Sequence, residues 1–262
     1  MVGVMISVLI GVVLFSKKPR SSDTLNSLLS IDFDNLGVAP CLYIRDNSLN
    51  GFDFRELKEQ FRGEVVIVHD GVNLALSKVY NAIVAYPINS DLLLFLDDDS
   101  MVDENYIKNM LIFHNSDYEV AVPLIEHSSQ LISPGKIVGV KGLALSQKNL
   151  AISSGNNNLV AMMSGTVVKR SIFDYEKIEF NEKLTFYGVD TRFFLDCQKK
   201  GKRVYVLDYL LFHDSALRSK TFEVVNMLNR LSNLMKAQFY IFDQRKFYKV
   251  MLFFYFPVFI FG

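Results

Sequence analysis

The stretch Asp91–Ser100, "DLLLFLDDDS", sets an apolar run directly against three consecutive carboxylates. Leu92, Leu93, Leu94, Phe95 and Leu96 carry no helical period and suit a strand buried on both faces, which Asp97, Asp98 and Asp99 close abruptly. Adjacent carboxylates repel one another, and a divalent cation at the carboxyl end of a sheet strand offsets that repulsion. Open α/β sheets place their ligands at that edge. The competing reading is an Asp-rich turn, with Asp99 or Ser100 as the N-cap of a helix through "ENYIKNMLIFH". An EF-hand is excluded, because neither the turn glycine nor the distal glutamate of that loop follows.

Outward from this strand the chain alternates. "ISVLIGVVLF" reads as a strand, "SSDTLNSLLSI" as a capped helix, "PCLYIRDNS" as a strand and "FDFRELKEQFR" as a helix. "VVIVHD" is a third strand and "LALSKVYNAIVAYP" the helix before the Asp-terminated fourth, a βαβαβαβ series whose simplest solution is a parallel sheet. Further on, "TRFFLDCQKKG" reads as a helix and "RVYVLDYLLF" as a strand. "SSGNNNL", Ser153–Leu159, reads as a loop excursion near the site.

Composition limits the function classes. The 262 residues are 50% hydrophobic and 21% charged, enough for a sizeable core and unlike a disordered chain. Lys+Arg 28 balance Asp+Glu 28, so no global basic field recommends nucleic acid as a partner. Cys41 and Cys197 lack metal or disulfide spacing and read as core thiols in a reducing, cytoplasmic setting. The opening "MVGVMISVLIGVVLF" lacks a basic n-region and reads as a buried first strand. The closing "RKFYKVMLFFYFPVFIFG" carries two readings: an interfacial anchor on the inner face of the cell membrane, or a segment folded back on the core.

Each early strand delivers polar residues at its carboxyl end: Ser16, then Asp46, Asn47 and Ser48, then His69 and Asp70, then the Asp triplet. Together they line a crevice that suits a nucleotide, with Asp46 placed to accept from a base or ribose. Neither GxGxxG after the first strand nor GxxxxGK[ST] occurs, so the phosphates need another counterion, which an Asp-bound cation provides. Asp190 in "FYGVDTRFF" follows Gly188 at the start of a helix and is read either as its N-cap or as a general base. Ser164, Gly165 and Thr166 permit close approach of a ligand or simply make a tight turn. Lys169 and Arg170 read as solvated charges.

"YIRDNS", "NLALSKVYN", "FLDDDS", "MSGTVVKRSIF" and "LTFYGVDTRFFLDCQKKGKRVYVLDYLLFHDSA", in that order, resemble family 2 inverting glycosyltransferases of the GT-A fold, over most of residues 5 to 216. Bacterial rhamnosyltransferases and galactofuranosyltransferases of polysaccharide assembly share the late "GVD…H" arrangement. The resemblance implies an α/β fold with a Rossmann-like mixed sheet flanked by helices. It divides the chain into a domain at 1–216, with a nucleotide-binding half at 1–100 and an acceptor half at 101–216, and a helical and apolar tail at 217–262. The Asp triplet resembles the family's DxD motif, so Asp97, Asp99 and His213 would hold Mn²⁺ or Mg²⁺, with Asp214 a competitor of His213. Ser16, Asp46, Asn73, Ser77, Asp97 and Asp98 would contact the nucleotide of a UDP- or dTDP-sugar donor, Gly165 and Gly188 the sugar or acceptor, and Asp190 would be the base. The acceptor implied is a glycan or lipid-linked glycan. Ala75 stands where the family's "NxGLSxxxN" segment has Gly, and Val189 where many relatives have an acidic residue. Two other classes fit parts of the pattern: a nucleotidyltransferase using the same carboxylates, and a non-catalytic glycan-binding scaffold.

Overall fold

The strand that organises the molecule is the first. In the computed structural model, which describes residues 5–127, 129–212 and 224–243, Ile6–Leu14 forms β1, a β-branched and leucine-rich run buried along most of its length. It is followed by α1 (Asp23–Leu29), β2 (Val38–Asp46), α2 (Arg55–Gln60), β3 (Glu64–Val68), α3 (Leu76–Ala85), β4 (Leu92–Asp97) and α4 (Glu104–His114). All four of these strands are parallel, as the alternating pattern predicts.

The second half is built differently. It comprises β5 (Val120–His127), β6 (Gln130–Ser133), β7 (Gly135–Val138), β8 (Lys141–Ala144), β9 (Ser154–Asn156), β10 (Leu159–Val160), β11 (Thr166–Lys169), α5 (Ser171–Asp174), α6 (Val189–Lys199), β12 (Val204–Phe212) and α7 (Val224–Ile241). Among the described residues the main sheet runs β3-β2-β1-β4-β11-β5-β12-β9, with β6 on β5, and β10-β7-β8 form a separate small sheet. β11 is antiparallel to both β4 and β5, so the sheet is mixed. β4 of the first hundred residues pairs with β11 of the second half, so one sheet takes strands from both.

Helices cover both faces. Leu25 and Leu28 of α1, Leu57 of α2 and Ile107 and Met110 of α4 pack with Ile10, Leu42 and Leu94 on one face. Val79, Tyr80 and Ile83 of α3, Phe193 of α6 and Ile241 of α7 pack with Leu9, Tyr43 and Phe95 on the other. Each fully buried side chain of this size contributes roughly 1.5–3 kcal/mol by leaving water. Cys41 and Cys197 are buried free thiols, and burial raises Cys41 to about 11.

Three local expectations are corrected. The cap of α4 is Asp103, whose side chain accepts from Tyr106 N, and not Asp99 or Ser100. The stretch Ser153–Leu159 supplies β9 and β10, and β9 pairs with Val204–Val206, the first residues of β12, at the sheet end opposite the carboxylates. Lys169 and Arg170 are not solvated: Lys169 Nζ donates to Ser116 O at 2.5 Å, and Arg170 donates to Val84 O of α3, to Ile88 O just beyond it and to Ser90 Oγ. No described helix is long and apolar enough to cross a membrane. His213, Asp214 and the apolar stretch 250–262 lie outside the described residues.

Candidate functional site

The parallel register assembles the carboxyl edge. Leu14 of β1 is level with Asp46 of β2, and Val13 with Asp97 of β4, so the two carboxylates flank the end of the central strand. Ser16, beyond β1 and exposed, donates its N–H to Ser48 Oγ at 2.9 Å. Ser48 N in turn donates to Asp46 Oδ1 at 3.0 Å. Asp46 is fully buried; its Oδ2 has no hydrogen-bond partner among the described residues and lies 3.7 Å from His69 Nδ1.

A second network joins β2 to the turn after β3. Arg45, 3% exposed, forms two bonds to the Asp70 carboxylate at 2.6 and 3.2 Å and a third to Val72 O. That pairing holds the Asp70 carboxyl below the usual carboxylate range. Asn47 bridges Arg45 Nε, Asn73 Oδ1 and the Leu74 backbone. The arginine was not anticipated, although a charged residue inside an apolar strand next to Asp46 was the available signal.

The triplet itself is split. Asp98 Oδ1 accepts from Lys17 Nζ at 2.8 Å, and its carbonyl accepts from Ser22 Oγ at 2.8 Å. Burial, the largest single influence on Lys17, pulls its pKa down, but the hydrogen bond and charge of Asp98 with the charges of Asp99 and Asp23 push it above the ordinary value in sum. Asp97 Oδ2 accepts from Ser164 Oγ, and Thr24 Oγ1 donates to Asp97 O at 2.5 Å and accepts from Ser100 N at 2.7 Å, pinning the turn. All three carboxylates are half-buried.

Asp190 comes to the same place from the far end of the chain. It sits in the first turn of α6, one residue inside the helix, where the N-terminal dipole favours negative charge. The N-cap is Gly188, so the capping reading of Asp190 does not hold. Asp190 Oδ2 accepts from Met163 N at 3.2 Å. Met163 and Ser164 are adjacent, so one dipeptide bonds both Asp190 and Asp97. Tyr80, fully buried beneath them, has its pKa raised by burial first and then by the charges of Asp97 and Asp190. Beside Asp190 is a cavity of about 300 Å³ whose walls include Ser133, Lys136, Met162, Gly188 and Thr191. A larger cavity of about 630 Å³, walled by Lys18, Arg20, Phe52 and Glu56, contains none of the carboxylates discussed above.

Three residues from the expected site set are closely packed by protein groups. Ser77 is fully buried and its hydroxyl donates to Leu184 O at 2.5 Å. A Cβ on Gly165 would stand 2.8 Å from Pro123 Cγ and 3.1 Å from Leu211 Cδ2. One on Gly188, φ +79, would stand 2.3 Å from Ile241 Cδ1. A side chain at either glycine would therefore collide with core side chains, and Gly188 also lines the cavity beside Asp190.

Neither a protein-family model nor a curated protein sequence matches the chain. Solved structures match its fold. GalNAc-T7 with UDP, GalNAc and Mn²⁺ is 14% identical at TM-score 0.61, over 92% of this chain and 51% of that one. TarS of S. aureus is 14% identical at TM-score 0.54, over 90% of this chain and 44% of that one. Its 1–349 fragment in complex with UDP-GlcNAc is 13% identical at TM-score 0.54, over 90% of this chain and 66% of that one. The chain thus spans about half the length of GalNAc-T7 and less of full TarS. What is shared is the fold, the mixed α/β sheet flanked by helices of GT-A glycosyltransferases.

Proposed function

We propose that the protein is an inverting glycosyltransferase that moves a sugar, rhamnose, galactofuranose or another hexose, from a UDP- or dTDP-sugar to a glycan or lipid-linked glycan of a surface polysaccharide. The observation that supports the reading is the Met163–Ser164 link, whose two adjacent residues bond Asp190 and Asp97. In this reading residues 1–100 bind the donor through the ends of β1, β2 and β4, residues 101–216 bind the acceptor, and the tail from 217 makes peripheral membrane contact.

The donor set suits a divalent cation. With Asp98 held by Lys17, Asp97 and Asp99 are the pair that would bind Mn²⁺ or Mg²⁺. Among the described residues no three His, Cys, Asp or Glu side chains converge as a cage. One or two carboxylates completed by substrate phosphates is the mode such ions take at phosphate sites. When bound, the ion would offset the charge that the departing nucleoside diphosphate acquires.

The protein's own groups do the rest. Asp190 accepts the proton of the acceptor hydroxyl as its oxygen attacks the anomeric carbon from the side opposite the diphosphate. The C–O bond to the acceptor forms as that to the diphosphate breaks, and the anomeric centre inverts. Met163 N–H and the α6 N-terminus hold the carboxylate in place for that transfer.

The test is titration of UDP and dTDP with and without Mn²⁺, together with transfer assays of Asp190→Asn. Metal-dependent binding by both proteins, with transfer reduced about 10²–10⁴-fold only in the variant, is expected. Absence of nucleotide binding by the wild type would remove the donor site and favour the scaffold reading.

A further inference from the structure

A buried or half-buried cation needs an acceptor to offset its lost hydration. Among the described residues Lys17, Arg45, Lys169, Arg170, Arg192 and Lys202 each donate to a carboxylate or carbonyl. Lys136 is the exception. It is half-buried on β7, level with Leu143 of β8 and Leu159 of β10, and it has no ion-pair or hydrogen-bond partner among the described residues. It also lines the Asp190 cavity, where these two are the ionisable side chains in the wall.

We propose that Lys136 binds an anionic group, phosphate or carboxylate, carried by the acceptor whose hydroxyl Asp190 deprotonates. The inference rests on the glycosyltransferase reading and narrows its acceptor to an acidic glycan or a phosphate-bearing one. Three features support it. The cavity of about 300 Å³ has room for a sugar ring or a substituent, not an extended chain. Apart from Ser133, Thr191 and Asp190, the side chains in its wall are small or apolar, so the ammonium has few competing acceptors. A charge-assisted bond formed there is roughly twice as strong as a neutral one. Lys136 is also the cation that keeps an anionic acceptor compatible with Asp190 in the same wall, since two negative groups would otherwise repel.

The experiment uses the full chain with its lysines reductively methylated with ¹³C, a modification that keeps their charge. The Lys136 resonance is assigned by its loss in Lys136→Arg, and Lys141, exposed on the same hairpin, serves as reference. Methyl phosphate and acetate are titrated separately, and UDP with Mn²⁺ in the same sample. The inference expects a saturable shift at Lys136, about tenfold tighter than at Lys141, with one or both anions. A response to methyl phosphate alone assigns a phosphoryl group, and to acetate alone a carboxyl group. If UDP is bound but Lys136 answers neither anion, or answers no better than Lys141, this inference is overturned while the donor site stands. If UDP perturbs no resonance, the glycosyltransferase reading itself has failed.

Discussion

Replacing Gly188 by alanine tests how the start of α6 is held. The residue has φ +79, and its Cβ would lie 2.3 Å from Ile241 Cδ1 and 2.7 Å from Ile241 Cγ1. The left-handed backbone costs an alanine about 1–2 kcal/mol, and forcing a methyl into a filled core costs about 1–3 kcal/mol more. The total, roughly 2–5 kcal/mol, is a large part of the 5–15 kcal/mol that stabilises a typical fold. Gly201 is the internal control: its φ is +73 and a Cβ there meets nothing within 4 Å, so Gly201→Ala isolates the backbone contribution. Urea unfolding of Gly188→Ala, Ile241→Ala and the double variant then yields the coupling directly, because removing the isoleucine removes the clash. A coupling of about 1–3 kcal/mol is expected. A value within about 0.5 kcal/mol of zero, the scatter of independent sites, would refute the packing of α7 against this turn.

Arg192, 5% exposed, donates to Tyr240 O, the Asp243 carboxylate and Asp196 Oδ2, so Arg192→Met should cost about 3–5 kcal/mol in chemical denaturation by leaving those acceptors unpaired. Ser77→Ala removes the donor to Leu184 O and should cost about 1–3 kcal/mol, read in the same assay, with Asn73→Ala, at an exposed position, close to neutral. The raised Lys17 makes the Lys17–Asp98 pair stabilising below the ordinary lysine pKa and lost as pH climbs through the shifted one. Asp98→Asn should therefore lower stability by about 0.2–1 kcal/mol at neutral pH, and the gap to wild type should close in strongly alkaline urea titrations. A gap that persists there would show that the aspartate acts through something other than this pair.

The first hundred residues were readable because each of their signals is local. Ser22 caps α1 as its position suggests, apolar runs of strand length became β1 to β4, and polar residues closing each run landed on one edge. The second half was harder because its pairings are long-range. β11 spans only Thr166–Lys169, and nothing in four residues announces that they insert antiparallel between β4 and β5. The cap of α4 was misplaced because the turn after β4 is pinned to α1 by Thr24 and Ser22, so the chain runs on to Asp103 before it can coil. Lys169 and Arg170 read as solvent-facing charges in sequence because the carbonyls they satisfy come from distant elements: α3, its following turn and Ser116. At the site, residue types were legible and contacts were not: Asp97 and Asp190 stand out in the sequence, but the dipeptide that joins them looks like an ordinary turn.

The link between the two halves also runs through α3. Asn81 exchanges two hydrogen bonds with the Phe180 backbone, at 2.9 Å each. Ser77 Oγ donates to Leu184 O, and Leu76 N to Thr185 O at 2.6 Å. These four bonds fasten the segment 180–185, which runs directly into Gly188 and Asp190, to the N-terminal part of α3, the end that follows the Asn73 turn. Tyr80 of the same helix lies under both carboxylates, its ring 4.9 Å from that of Phe180. Positioning a base to within a fraction of an ångström requires locked supports. In the proposed reading the support of the base is α3, a helix of the parallel half of the sheet, so a disturbance of α3 would reach both Asp190 and the proposed donor side at once.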